Sequence, residues 1–460
     1  MLIVMIKSSD DMYLYEVNDQ HFILDPYSQM FWFIKDTDDD NLLLTIDQLK
    51  KYNFFKKKGK FVIEKKEIKE DIKHIVINPS FECNLDCWYC YSRDYHYKNI
   101  EEMSLNKIQR IILFFSRYKQ EINSTRPLAI SMFFTSEITL SFSLFREVGK
   151  FIEQLNKEYS FDFYLFPAST NLMSISDEFV EYVNNYGYIN VSLDLENKEQ
   201  VATVLKNLSR FDSTVVKHCI IPLNSRMNNL FSIYSFFMKS FDYVSMRPVR
   251  VTPHSKIPWT EKSISEFKTE LVKLIEKLLL LNEEDLLDFM YKLGSSDYLA
   301  RFIDRIISRK RYNSRCLAGR NEIAISPVMS FYPCSGLIGY EKYKVGSISE
   351  GLIHKSFFES RKSNDIINSE CRKCPICFYC GGVCLDWFEK QNQISGMQTN
   401  SVECEINLHY FKLCSYLIYN ISKNYSRILD LIARKKEIDN RLSYPLDFSD
   451  FSLFFQSCSS

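Results

Sequence analysis

Hydrophobic and polar positions change rhythm three times along this chain. From residue 74 to about 251, short apolar runs alternate with segments of helical period. The runs at 74–80, 128–134, 162–169, 188–194, 216–222 and 243–251 read as strands. Between them, Leu105, Ile108, Ile111, Ile112 and Phe115 fall on one helical face behind Ser104, a good N-cap. Leu144, Val148, Phe151, Ile152 and Leu155 repeat the pattern in 142–158. Six strand–helix repeats predict a parallel sheet with helices on its outside. Residues 1–73 differ: alternating pieces such as Met-Tyr-Leu-Tyr-Glu-Val predict small antiparallel strands, with a helix near 43–53. Helices follow over 260–310, and a cysteine-rich region occupies 311–460.

A length of 460 residues exceeds one compact core and divides naturally into units at 1–73, 74–310 and 311–460. The 58 basic and 58 acidic residues balance, so no overall field recruits nucleic acid or a membrane surface. The start, Met-Leu-Ile-Val-Met-Ile, lacks the basic opening of a signal peptide, and no apolar run approaches about 18 residues. With 14 cysteines and no export signal, metal or redox chemistry in the cytoplasm is expected instead of disulfides.

Three of those cysteines follow the first strand of the repeat. Cys83, Cys87 and Cys90 stand in Cys-Asn-Leu-Asp-Cys-Trp-Tyr-Cys, on a loop where α/β folds place ligands. Three thiolates leave one iron of a cubane cluster open, and an open iron binds and activates a ligand. A zinc knuckle with a distant fourth ligand is the alternative, but zinc sites favour paired C-x2-C motifs.

The C-x3-C-x2-C run after a first strand, with Tyr89 before its last cysteine, resembles the radical S-adenosylmethionine (SAM) enzymes. That resemblance implies a partial (β/α)6 barrel and a 4Fe-4S cluster that chelates SAM. It also implies reductive cleavage of SAM to a 5′-deoxyadenosyl radical, fed by a donor such as flavodoxin or ferredoxin. Downstream, Cys316, Cys334, Cys371, Cys374, Cys377, Cys380, Cys384 and Cys404 resemble the SPASM domain of radical SAM peptide maturases. Carried over by position, Cys371, Cys374, Cys380 and Cys404 hold an outer auxiliary 4Fe-4S cluster, and Cys316, Cys334 and Cys384 an inner one. Leu317 to Ile325 contain no fourth inner cysteine, which leaves that cluster a second open iron. Cys377 completes a competing C-x2-C-x2-C-x3-C ferredoxin spacing, and a zinc ribbon on the same residues is a further alternative. Cys219, Cys414 and Cys458 have no ligand spacing. The N-terminal strands resemble the winged-helix element with which such maturases add a precursor's leader peptide as a strand; a packing extension reads the same pattern. The basic run Lys56-Lys57-Lys58-Gly59-Lys60 suits an acidic leader or a solvated hairpin tip.

The chain departs from the family at Thr135-Ser136-Glu137-Ile138, where Gly-Gly-Glu-Pro is usual. Glu137 keeps the expected contact to the SAM amino group, and side chains at 135 and 136 crowd a place where glycine permits close approach. Ser192, in Ser-Leu-Asp, is expected at the SAM carboxylate, and Arg247 faces the barrel mouth. The resemblance implies a cytoplasmic enzyme that installs a cross-link in a ribosomally made precursor. A cysteine thioether is the leading form, as in ranthipeptide and sactipeptide maturases. Carbon–carbon cross-linking, a sulfatase-maturing oxidase and a non-catalytic peptide-binding cluster protein are the rivals.

Overall fold

In a computed structural model, the structure describes residues 3–9, 12–17, 20–25, 30–34, 71–94, 102–159, 161–166, 169–249, 259–308, 312, 315–316, 318–319, 321–352, 371, 374–382, 384–387, 389–390 and 401–424. Four N-terminal strands, β1 (Ile3–Ser9), β2 (Met12–Val17), β3 (Gln20–Asp25) and β4 (Met30–Ile34), form an antiparallel meander in sequence order. The antiparallel expectation holds there. The helix expected near 43–53 and the lysine run at 56–60 lie outside the described residues.

The central repeat forms as the hydrophobic rhythm predicts. Its strands are β5 (His74–Ile77), β6 (Leu128–Met132), β7 (Phe163–Phe166), β8 (Tyr188–Ser192), β9 (Val216–Leu223) and β10 (Tyr243–Pro248). Strand β6, Leu-Ala-Ile-Ser-Met, is buried throughout, as a parallel strand covered on both faces must be. The intervening helices are α1 (Leu105–Glu121), α2 (Phe142–Tyr159), α3 (Asp177–Tyr186), α4 (Lys198–Leu208) and α5 (Leu230–Phe237). Ser104 caps α1 by accepting from Lys107 N, and Ile108, Ile111, Ile112 and Phe115 are its buried face. Ser176 caps α3, which ends at Gly187 in the left-handed region (φ 79°) that glycine alone enters without strain.

Strands β5, β6 and β7 pair in parallel, as do β8, β9 and β10. A lone parallel bridge between Thr170 and Val191 joins the two sets: Thr170 N donates to Asn190 O at 2.9 Å and Ser192 N to Thr170 O at 2.9 Å. The strands therefore follow one another in sequence order, the winding of an open barrel; a doubly wound sheet would reverse direction at its middle.

Helices α6 (Glu261–Leu279), α7 (Glu283–Lys292) and α8 (Tyr298–Ser308) follow, where helices are expected. The chain then returns to the barrel. β11 (Glu322–Ile325) pairs in parallel with β5, matching Glu322 to His74 and Ile325 to Ile77. β12 (Ser330–Tyr332), β13 (Gly346–Ser347) and β14 (Gly351–Leu352) extend the same sheet antiparallel. A short helix α9 (Cys377–Cys380) and the long α10 (Ser401–Asn424) complete the described chain, with α10 packed on α6 and α8. No helix among the described residues is long and apolar enough to cross a membrane.

Candidate cluster and cofactor site

β5 ends at Asn78-Pro79, and the cysteine loop leaves from the C-terminal edge of the sheet. Cys90 N donates to Cys87 O at 3.1 Å, which folds the last three loop residues into a turn. The loop is fastened at several places. Thr135 Oγ1 donates to Ser80 O at 2.9 Å and Glu137 N to Glu82 O at 2.9 Å, so the segment after β6 lies along it. Trp88 Nε1 donates to Glu196 Oε2 at 3.1 Å, while Asn224 Nδ2 donates to Glu196 Oε1 at 2.7 Å. One carboxylate thereby ties the loop to the ends of β8 and β9. The indole packs on Val249 and meets the Tyr89 ring edge-on at 5.2 Å.

Cys83 is exposed, and Cys87 and Cys90 are half-buried. The Cys90 thiol lies 2.9 Å from Ser92 Oγ. Desolvation pushes the Cys87 thiol up to about 12, with Cys90 and Asp194 adding in the same direction. The Cys83 thiol is raised too, first by desolvation, against hydrogen bonds from Leu85 N and Asn171. Burial raises the Tyr89 hydroxyl well above its ordinary value, with Cys87 and Asp194 adding to it.

Glu137 is buried in the middle of this assembly. Its Oε1 accepts from Thr139 N at 3.1 Å, Thr139 Oγ1 at 3.0 Å and Thr170 Oγ1 at 2.6 Å; Oε2 accepts from Asn171 N at 2.7 Å. It caps the 3-10 turn Ile138–Ser141 as well as facing the cysteines. Burial raises its carboxyl while those donors oppose the shift. Asn171 completes the link: its Nδ2 donates to Cys83 Sγ at 3.6 Å and to Asn84 Oδ1 at 2.6 Å. Sequence reasoning missed Thr170 and Asn171. The polar run Ser169-Thr170-Asn171, two residues beyond the apolar Phe-Tyr-Leu-Phe of β7, was the available signal, since strand ends carry the chemistry of such folds.

Thr135 and Ser136 occupy the glycine positions without positive φ. The left-handed residues are instead Phe133 (φ 65°) and Leu172 (φ 55°), at the ends of β6 and the β7 segment. Side chains of that bulk are strained there and persist only where the surroundings over-determine them. Ser136 Oγ is buried with no hydrogen-bond partner among the described residues.

Ser192 ends β8 beside Thr170, with its carbonyl accepting from Gln200 Nε2 at 2.9 Å. Arg247 ends β10, where its Nε donates to Ser296 O at 3.0 Å and its charge is felt by Tyr188 at the other end of β8 from Ser192. The structure gathers Cys83, Cys87, Cys90, Tyr89 and Glu137 into one assembly, sets Ser192 at its edge and holds Arg247 to a different anchor.

The downstream cysteines fall into two neighbourhoods. Desolvation raises Cys374 to about 12, with Cys380, Cys377 and Cys371 adding to it. Cys404, though it reaches the surface, is raised by desolvation and by Cys380, Cys374 and Cys371. Cys334 is raised by burial, then by Asp386, Cys384 and Cys316. Cys219 and Cys414 are buried elsewhere, on β9 and α10, and Cys458 lies outside the described residues.

Soft sulfur donors suit iron–sulfur centres and zinc alike. Among the described residues, no group of three His, Cys, Asp or Glu side chains is arranged to hold a metal ion. A cubane bound there would take these cysteines as thiolates, its irons displacing the thiol protons that burial otherwise favours. The unpartnered Ser136 Oγ and the second lone pair of Glu137 Oε2 suit a polar, cationic ligand beside the cysteines.

No protein-family model matches the chain. An uncharacterized protein of Archaeoglobus fulgidus is 22% identical over 399 residues, covering 80% of this chain and 85% of that one. Among solved structures, anSMEcpe with bound AdoMet matches with a TM-score of 0.57 at 18% identity, covering 79% of this chain and 98% of that one. The chain has the anSMEcpe fold. A second structure of that protein, with bound AdoMet and a Kp18Cys peptide, gives 0.55 at 17% identity, covering 78% and 98%. Identities this low establish the shared fold and leave the activity to the residues of the site.

Proposed function

We propose that this protein is a radical SAM enzyme acting on a peptide substrate, with Cys83, Cys87 and Cys90 holding the 4Fe-4S cluster that binds SAM. The observation that carries this reading is the chain of contacts from Cys83 through Asn171 to Glu137 at the C-terminal edge of the barrel. It lies in a fold shared with a protein crystallised with AdoMet and peptide. The cluster and SAM together would supply a 5′-deoxyadenosyl radical that removes hydrogen from substrate. The protein's own residues bind and orient. Glu137 and the Ser136 hydroxyl receive the SAM amino group, Ser192 stands near its carboxylate, and Trp88, clamped by Glu196, keeps the loop closed on β8 and β9. Tyr89 shapes the mouth and shields it from water.

The two downstream neighbourhoods support two auxiliary clusters. Cys371, Cys374, Cys380 and Cys404 serve one, and Cys316, Cys334 and Cys384 the other, with Cys377 beside the first. A substrate cysteine held on an open iron of the second would lose its proton there and bond to the carbon radical, with the one surplus electron passing to that cluster; the product would be a thioether in a ribosomally made precursor. The N-terminal meander offers strand edges for its leader, and flavodoxin or ferredoxin would deliver the electron.

Anaerobic reconstitution with SAM and dithionite tests the reading. The expected result is 5′-deoxyadenosine from the wild type, its loss in C83A, C87A and C90A, and about twelve irons per chain for three cubanes. A wild type that loads iron but yields no 5′-deoxyadenosine, with or without peptide, overturns catalysis. It would leave a peptide-binding cluster protein, a reading favoured by the saturation of Glu137 with the protein's own donors.

A further inference from the structure

Arginine is almost never fully buried unless it is paired. Here Arg301 is 5% exposed, Arg305 0% and Arg315 4%, all in one region between α8, α9 and α10. Arg301 and Arg305 are one helical turn apart on α8 and converge on one end of α9. Arg301 Nη2 donates to Cys380 O at 3.2 Å; Arg305 Nη1 donates to the same carbonyl at 2.9 Å and to Tyr379 O. Their planes lie over Tyr298 at 5.3 Å and Tyr312 at 4.1 Å.

Among the described residues, the anions around them are few. Glu403 forms an ion pair with Arg315 and also accepts from Cys384 N at 3.3 Å. Arg301 and Arg305 have no carboxylate in an ion pair among the described residues. Their strongest charged and polar neighbours are each other, Arg315, Tyr298, Tyr312 and the thiols of Cys380 and Cys316. Arg301 Nε and both Nε and Nη2 of Arg305 are buried without a hydrogen-bond partner among the described residues. An uncompensated buried charge is among the most expensive features a fold can hold. Neutral thiols do not offset it. Cysteinates on an iron–sulfur centre do, because the centre with its ligands carries net negative charge, and each added electron strengthens the attraction.

We propose that Arg301 and Arg305 are the buried counter-charge of an iron–sulfur centre held through Cys380, and that they raise its reduction potential. The inference rests on the auxiliary-cluster reading above and adds a role for residues that supply no ligand. The step they favour is one-electron reduction of the oxidised centre by an external donor, with no bond made or broken.

The test uses the full chain in a C83A/C87A/C90A background, so that only the C-terminal centres contribute. Iron and sulfide are quantified, and the midpoint potential is followed by electron paramagnetic resonance. In R301Q and R305Q the reduction equilibrium should fall at least tenfold, a shift of 59 mV to more negative potential for one electron, while R301K and R305K stay nearer the parent. Thermal unfolding supplies a second readout with opposite signs. Without iron, R305Q should unfold at a higher temperature than the parent; with iron, at a lower one. Potentials unchanged in both Gln variants at full iron content would overturn the proposal. So would loss of stability alike with and without iron, or failure of Gln and Lys variants together to fold or load, each of which assigns the arginines to packing. An iron content that C380A leaves unaltered instead removes the auxiliary-cluster reading itself.

Discussion

Glu137 shows how much one side chain can carry at this site. Thr139, Thr170 and Asn171 each direct a donor at its carboxylate, which is 4% exposed. Removing it leaves those donors buried and unmet. E137A should therefore destabilise the protein by roughly 2–4 kcal/mol, measured by chemical denaturation, even where SAM plays no part. E137D, with the same charge on a shorter stem, should keep part of that stability but lose the reach to Asn171. Glu137 was legible through the resemblance of Thr135-Ser136-Glu137-Ile138 to a known family's Gly-Gly-Glu-Pro at the end of a second strand. The donors that hold it were not readable. Thr170 and Asn171 lie 33 and 34 residues away from Glu137, and only the pairing of the β7 segment with β8 brings them to it.

Among the elements, α10 has the most to bury, and its contact with α6 contains a titrating group. His409 Nε2 lies 3.1 Å from Lys268 O. Desolvation depresses the imidazole to about 4, with Lys268 and Lys412 lowering it further and the carbonyl opposing. The unfolded chain, with an ordinary histidine near 6.5, binds a proton in the interval that the folded His409 refuses. Stability is therefore lost as pH falls from about 6.5 towards about 4 and is level above that window. H409Q should flatten this part of a melting temperature–pH profile; an unchanged slope would remove His409 as its source. The six barrel strands were legible from their apolar runs because parallel strands are covered on both faces. α6, α7 and α8 were legible too, but not their order of packing, which depends on which helix α10 meets.

At the scale of the molecule, the cysteine-rich region is not a separable appendage. β11 lies in parallel register with β5, His74 Nδ1 meets Glu322 Oε2 at 3.0 Å, and Lys73 N donates to Asn321 O at 2.8 Å. Burial outweighs the neighbouring Glu322 and lowers the His74 pKa. Ile323, Ile325, Phe331 and Tyr332 are at most 1% exposed and bury against the barrel side of the sheet or its flanks. At about 1.5–3 kcal/mol each, their loss approaches the whole margin of about 5–15 kcal/mol of an ordinary domain. A chain truncated after residue 310 would leave the β5 edge open. It should aggregate or elute as oligomer in size-exclusion chromatography, and a monomeric, cooperatively unfolding product would contradict this view of the sheet.

The sequence by itself determined the strand–helix rhythm, the cysteine triad on the loop after β5 and the closely spaced cysteines from Cys371 to Cys384, because periodicity and ligand spacing are local properties of a chain. Tertiary structure alone decided three things: the Asn171 link between Cys83 and Glu137, the return of β11 to the edge of β5, and the convergence of Arg301, Arg305 and Arg315 beside Cys380. Each depends on contacts between residues far apart in the chain, and no local pattern encodes a partner that only folding brings near.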